Sequence, residues 1–165
     1  AEKLVHAFVT SRLDYCNALL SGCSCKCTNK LQLVQNAAAR VLTRSRKHDH
    51  ITPVLIFYTL ISLHWLSIKS GIDYKILLLM YKALKGLAPK YLSELLYQYD
   101  PPRLLRSKSA WYLLVPQTIK TTAGSRSFSY KALQLWNRLP ISVGDSDTVS
   151  AFNSRLKTYL FSQVF

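Results

Sequence analysis

Acidic residues are scarce in this sequence. Only 8 of the 165 residues are Asp or Glu, against 22 Lys and Arg, so the formal charge is +14 at pH 7. No two acidic residues are adjacent, whereas two-metal phosphoryl transfer needs several carboxylates around ions about 3.5–4 Å apart. Glycine-rich phosphate-binding loops and the G-x-S-x-G nucleophile motif are also missing. We therefore expect no complete enzyme active site within this chain.

Long hydrophobic runs are missing too. The most apolar run covers residues 54–66 and follows Pro53, and it is much shorter than the ~20 residues that a membrane-spanning helix needs. It predicts a buried helix from Pro53 to Leu66, with Trp65 in the core. No secretory signal is visible at the N-terminus. The sequence therefore favours a chain that neither enters a membrane nor is secreted.

Cysteines are few, and their spacing does not favour a metal site. Cys23, Cys25 and Cys27 follow a C-x-C-x-C pattern, and the only distant ligand candidates are His48 and His50. Zinc sites favour two pairs of ligands, with cysteines spaced C-x₂₋₄-C. We therefore predict reduced thiols in a loop, with neither a metal ion nor another cofactor.

Positive charge is concentrated in two parts of the chain. Residues 16–48 contain six Lys or Arg and no acid, and residues 101–144 contain seven and again no acid. Such an excess of positive charge favours a polyanionic partner. Nucleic acid is the preferred candidate, and an acidic membrane surface is the second. A solubilising surface is the alternative interpretation.

Apolar spacing predicts a mainly α fold: a helical bundle over residues 1–100, then a basic, partly extended segment and two closing helices over residues 101–165. The first helix contains Leu4 and Phe8 at helical spacing and ends near Gly22. Because no capping residue precedes it, we expect the chain to be a piece of a longer protein. A later helix should end at Gly86 and bury Ile76, Leu77, Met80, Tyr81 and Leu84. Two closing helices should follow, one that ends at Pro140 and one that is capped by Asp147 or Thr148.

The second helix carries the first cationic group. It is predicted from Thr28, as N-cap, to about Ser45, with an apolar stripe at Leu31, Val34, Ala38, Val41 and Leu42. Arg40, Arg44 and Lys47 recur at i, i+4 and i+7, so they should project from one side. Cations also stabilise a helix C-terminus by ~0.3–1 kcal/mol each, but one cation would supply most of that effect.

Several segments, in this order, resemble the C-terminal region of reverse transcriptases from non-LTR (LINE-type) retrotransposons. They span almost the whole chain. The segments are HAFVTSRLDYCNALLSG, LQLVQNAAARVLTRSRKHDHITPVL, SLHWL, IDYKILLLMYKALKGLAPKYLSELL, LLVP, RSFSYKALQLWNRLP and FNSRLKTYLF.

The resemblance implies a thumb-like region without catalytic activity of its own. The family's polymerase palm uses an aromatic-x-Asp-Asp motif that this chain lacks. The implied partners are template–primer RNA and DNA and the upstream palm of the parent polypeptide. The implied location is nuclear or cytoplasmic, within a retrotransposon ribonucleoprotein. The chain departs from the family in its three loop cysteines and in an insertion, IFYTLI, which raises the alternative of a decayed element copy.

We therefore predict a set of residues that contact nucleic-acid phosphates. Such contacts fix the position of a protein on the nucleic acid without reading the base sequence. Trp111, Tyr112 and Trp136 are candidates for stacking on bases, although core packing is the simpler role. The competing interpretation is a structural module that braces the palm with an exposed apolar face. The predicted contacts are Lys26, Lys30, Arg40, Arg44, Arg46 and Lys47 in a first group, and Arg103, Arg106, Lys108, Lys120 and Arg126 in a second, less ordered group.

Overall fold

The computed structural model describes residues 2–46, 65–97, 112–117 and 124–163. Within these ranges the chain is mainly helical, as predicted, and no strand forms. The described residues fall into two compact units, one ending at Ile72 and the other running from Asp73 to Gln163. In chain order the helices are α1 (Glu2–Val5), a π-helix (His6–Thr10), α2 (Ser11–Asp14), a 3₁₀-helix (Asn17–Leu20), α3 (Cys25–Thr43), α4 (Ile68–Leu84), α5 (Lys90–Ser93), a second 3₁₀-helix (Gly124–Arg126), α6 (Phe128–Asn137), α7 (Ile141–Gly144) and α8 (Val149–Ser162).

The N-terminal run, formed by α1, the π-helix and α2, is shorter than the predicted first helix. It ends because Tyr15 is extended and Cys16 is left-handed, with φ 51°. A 3₁₀-helix follows before Gly22, whose φ of 73° suits a glycine. No residue of the run is buried. Leu4 and Phe8 are 62% and 71% exposed, so the run leaves large apolar side chains uncovered within its own unit.

The buried side of α3 differs from the predicted stripe. The helix buries Gln35, Ala38 and Ala39, whereas Val34 and Val41 are exposed. The prediction was wrong for these two valines, since the spacing of the apolar residues is compatible with either side of the helix. The first unit therefore packs α3 through small and polar side chains.

Two glutamines of α3 hold the segment that leads into α4. Gln35 Nε2 donates a hydrogen bond to the Leu66 carbonyl at 2.9 Å, and Gln32 Oε1 accepts one from the Ile68 N–H at 3.0 Å. The second bond satisfies an N–H at the start of α4 that has no partner within the helix. Buried polar groups are stable when they are bonded in this way. These two side chains explain how a polar face can form an interior surface.

Aromatic and aliphatic side chains fill the second unit. The rings of Tyr81 and Phe152 stack with centroids 4.1 Å apart, and Trp136 lies 6.1 Å from Phe152. The predicted inward positions on α4 are confirmed except Leu84, which is half-buried, and Gly86 ends the helix with φ 70°. The core also contains Ile76, Leu77, Met80, Ala132, Leu133, Val143, Leu156 and Leu160.

Polar contacts fix the ends of the closing helices. The buried Tyr81 hydroxyl donates to the Ser146 carbonyl at 2.6 Å. Thr148 caps α8 as predicted, since its hydroxyl accepts a hydrogen bond from the Ala151 N–H. Both predicted closing helices are present, and α7 is an additional short helix between them that begins directly after Pro140.

The middle of the chain is described only in part. Trp65 is buried as predicted, but neither Trp65 nor Leu66 is helical, and the rest of the helix predicted from Pro53 lies outside the described residues. The same holds for most of the predicted extended segment and for the boundary after residue 100. The second unit includes described residues from both sides of that boundary. Two contacts hold residues 112–117: Asn137 bonds both the N–H and the carbonyl of Leu113, at 3.0 and 2.8 Å, and the Leu114 N–H donates to the Tyr97 carbonyl at 2.9 Å.

Candidate nucleic-acid interface

Helix α3 carries three members of the first cationic group, and two further described members follow its C-terminus. The helix begins after Ser24, an extended residue whose carbonyl accepts from the Cys27 and Thr28 N–H groups. Thr28 is therefore not the N-cap that was predicted, and its hydroxyl donates to the Cys25 carbonyl instead. Alanine, leucine and glutamine favour the helical state over the next turns, and no Gly or Pro interrupts them.

Lys26, Lys30 and Arg40 lie on one side of α3. Lys30 is one turn from Lys26, and Arg40 is 14 residues from it, about four turns at 3.6 residues per turn. Both lysines are exposed and Arg40 is half-buried. Its Nε is enclosed and has no hydrogen-bond partner in the described structure. The helix contains no acidic residue, so this side is positive throughout.

Arg44 does not continue that side of the helix. It adopts a left-handed conformation, with φ 54° and ψ 27°, and the N–H groups of Arg44 and Ser45 both bond to the Arg40 carbonyl. This is a Schellman-type ending, which usually has glycine at the left-handed position. The predicted alignment of Arg40 and Arg44 along one helix is therefore wrong, because the helix ends at Thr43; the Lys47 part of that prediction lies outside the described residues. Arg44 and Arg46 are exposed just beyond it.

No carboxylate of the described residues neutralises the exposed lysines of α3 or the arginine that follows the helix. Among the described residues, no acidic side chain pairs with Lys26, Lys30 or Arg44. Their positive charge is therefore directed to solvent, where an anion can reach it. Arg46 has a contact of its own, and Lys47 lies outside the described residues.

The second cationic group is represented by a single described residue. Arg126 is exposed at the end of the second 3₁₀-helix. The other members are Arg103, Arg106, Lys108 and Lys120, and all four lie outside the described residues. This group therefore stays a prediction.

Two lysines of the second unit, absent from the predicted set, lie over aromatic rings. Lys85 Nζ is 5.7 Å from the centre of the Tyr81 ring, and Lys157 Nζ is 5.9 Å from that of Tyr74. The spacing of Tyr81 and Lys85, four residues apart at the end of a helix, is a signal that the sequence offered. The contact of Lys157 with Tyr74 depends on the packing of α8 against α4, so it could not be predicted from the local sequence pattern.

The aromatic candidates for base stacking divide between core and surface. Trp136 is buried beside Phe152, which confirms the core role for this residue. Tyr112 is exposed and lines a shallow cleft with Trp136, Pro140 and Ile141. Trp111 lies outside the described residues. Of the two described candidates, only Tyr112 exposes ring surface on which a base could stack.

The cysteines do not converge on a metal site in the described structure. Cys16, Cys25 and Cys27 are exposed, Cys23 is half-buried, and all four are free thiols. No group of three or more His, Cys, Asp or Glu within the described ranges is arranged to hold a metal ion. His48 and His50 lie outside those ranges. Nor is any helix in the described structure long and apolar enough to span a bilayer.

Comparisons with protein-family models, with curated proteins and with solved structures found no match to this chain.

Proposed function

We propose that this chain is a catalytically silent C-terminal portion of a non-LTR retrotransposon reverse transcriptase, and that it binds template–primer or element RNA through phosphate contacts. The observation that carries the nucleic-acid part is the acid-free side of α3 with Lys26 and Lys30 exposed, followed by exposed Arg44 and Arg46. The family assignment rests on the order of the sequence segments, and the proposed catalytic silence rests on the missing Asp-Asp motif. The nucleic-acid part and the family assignment do not depend on each other.

The arrangement suits backbone binding better than base reading. Lysine ammonium groups on flexible stems follow phosphates as point charges, and arginine can contact them with two parallel hydrogen bonds. Phosphate contacts fix the position of a protein on a duplex but carry no sequence information. We therefore expect binding that depends strongly on salt and weakly on sequence.

The test is the salt dependence of duplex binding by the full chain, measured by fluorescence anisotropy with RNA·DNA and DNA duplexes. Six contacts, from Lys26, Lys30, Arg40, Arg44, Arg46 and Lys47, would give a log–log slope of about −5 on duplex DNA. A triple variant, Lys26→Gln, Lys30→Gln and Arg44→Gln, should bring the slope closer to zero by about 3. A slope near zero for the unmodified chain would refute the proposal.

A matched control separates the placement of the charges from net charge. The variant Lys69→Gln, Lys90→Gln and Arg138→Gln removes three exposed cations elsewhere, so both variants have the same formal charge. We expect this control to keep nearly the whole salt slope. Equal weakening of binding in the two variants would mean that α3 has no special role.

A second candidate function is supported by the N-terminal run. Its exposed Leu4 and Phe8, together with the absence of any buried residue in the run, suit a module that braces the polymerase palm. Unchanged duplex affinity and unchanged folding in the triple variant would favour this function over nucleic-acid binding.

A further inference from the structure

The solvent side of α3 carries an apolar stripe as well as cations. Leu33, Val34, Ala37 and Val41 are all exposed, and the two valines are 49% and 65% accessible. Val34, Ala37 and Val41 are separated by steps of three and four residues, and Leu33 lies one turn before Ala37, a pattern typical of a helix face that packs against another helix. We name these four residues the outer stripe.

The outer stripe is not needed for the packing of its own unit. Gln35, Ala38 and Ala39 form the opposite side of α3, and that side is the buried one. No described residue of the first unit covers the outer stripe, since its members stay exposed. Contiguous exposed apolar surface on a protein commonly marks an interaction site.

Positive charge at both ends of the outer stripe limits what can cover it. Lys26 and Lys30 precede the stripe, and Arg40 and Arg44 lie at its far end. A second copy of the chain would place cations against cations in either direction. A parallel pair brings lysines against lysines, and an antiparallel pair brings lysines against arginines. Like charges placed opposite each other across an interface are unfavourable, so the charge pattern selects a different, acidic partner.

The composition of the stripe also distinguishes a protein partner from a membrane. Helices that lie in a bilayer surface bury a broad apolar face rich in Trp, Phe and Leu. The outer stripe has no aromatic residue, and Ala37 at its centre is small. A small central residue lets a second helix approach closely, with the larger side chains interdigitating on either side.

We propose that the outer stripe docks an amphipathic helix of a protein partner, with apolar residues at steps of three and four and carboxylates at both ends. The carboxylates face Lys26 and Lys30 at one end and Arg40 and Arg44 at the other. Because the same cations form the candidate nucleic-acid interface, the partner helix and a duplex compete for this side of α3. Docking of the helix does not itself depend on nucleic-acid binding.

The experiment uses the full chain and a fluorescent synthetic helix about five turns long, roughly 18 residues. The peptide has leucines at steps of three and four and glutamates at both ends. One control peptide has glutamine in place of glutamate, and another has serine in place of leucine. The protein variant Val34→Ser and Val41→Ser keeps the charge and has similar helix propensity. Its matched control, Leu19→Ser and Leu87→Ser, removes two exposed leucines that lie outside α3.

We expect the stripe variant to bind the acidic peptide at least about tenfold more weakly, because two valine side chains lose their burial. The control variant should bind it unchanged, both control peptides should bind more weakly, and the unmodified peptide should displace a bound duplex. Duplex affinity of the stripe variant should stay the same.

Several results would overturn the docking proposal. They are equal peptide affinity in the stripe variant, equal weakening in the control variant, and binding that ignores the glutamates. Sedimentation as a dimer that Val34→Ser and Val41→Ser abolish would identify a second copy as the occupant. Stripe-dependent binding to phosphatidylserine vesicles would identify a membrane, and loss of duplex binding in the stripe variant would assign the stripe to nucleic acid. Failure of peptide binding with an intact salt slope leaves the proposed function standing.

Discussion

The two compact units of this chain are stabilised in different ways. In the second unit, large side chains such as Tyr81, Phe152, Leu133 and Leu156 are almost wholly enclosed. In the first unit, the buried side of α3 consists of alanines and a glutamine, while Leu4, Phe8, Leu33 and Val41 are exposed. The largest enclosed side chains of the described structure all belong to the second unit.

This difference concerns the described residues, in which the second unit has the larger enclosed side chains. Burial of large apolar side chains is the main favourable term in folding. The second unit buries such side chains within its own core. Both units expose large apolar side chains, but among the described residues only the first unit combines them with an acid-free row of cations on one helix. Both candidate interaction surfaces, the cationic side of α3 and the outer stripe, belong to the first unit.

The comparison predicts its largest effect for a pair of phenylalanines. Phe152→Ala should lower the free energy of unfolding by about 3–5 kcal/mol, because the ring is fully buried between Tyr81 and Trp136. Phe8→Ala should change it by less than about 0.5 kcal/mol, since the ring is mostly exposed. Urea denaturation followed by circular dichroism measures both. A large loss for Phe8→Ala would mean that the N-terminal run is covered by part of the chain itself.

The fold of the second unit was predictable because its local patterns agree with its packing. The helical spacing of Ile76, Leu77, Met80 and Tyr81 identified the inner side of α4. Gly86 supplied a stop that a left-handed turn requires. Here propensity, spacing and capping all pointed to the same structure. The stack of Tyr81 on Phe152 was not visible, because it joins residues far apart in the sequence.

The packing of α3 was not predictable from local pattern. A glutamine is ordinarily placed on the surface and a valine in the core, yet here Gln35 is buried and Val34 is exposed. What reverses the rule is the hydrogen bond from Gln35 to the Leu66 carbonyl, which exists only in the folded chain. The cations of the candidate site could be named from the sequence. Which of them share a side depended on where the helix ends.

Helix capping provides a second, smaller contrast between the units. Thr148→Ala should cost about 1 kcal/mol of unfolding free energy, because the threonine hydroxyl caps the Ala151 N–H of α8. Ser24→Ala should cost clearly less, since Ser24 precedes α3 without a side-chain cap hydrogen bond. Thermal melting of the two variants under identical conditions compares them. Equal losses would indicate that Ser24 caps α3 in solution.

The smallest predicted effect is a gain in stability at Arg44, where α3 ends. A left-handed conformation costs a non-glycine residue about 1–2 kcal/mol, and glycine loses about 0.5–1 kcal/mol through its greater freedom in the unfolded chain. Arg44→Gly should therefore stabilise the protein by about 0.5 kcal/mol. Arg44→Gln removes the same charge but keeps the strained backbone, so it should give no gain.

The pair also separates backbone strain from binding at the end of α3. Both substitutions remove one proposed phosphate contact, so both should bring the log–log salt slope for duplex DNA closer to zero by about 0.9. If only Arg44→Gly changes the slope, the glycine has altered the path of the chain beyond α3, and the arginine charge itself is not in contact with phosphate. If neither does, Arg44 lies outside the interface, and the cationic side of α3 ends at Arg40.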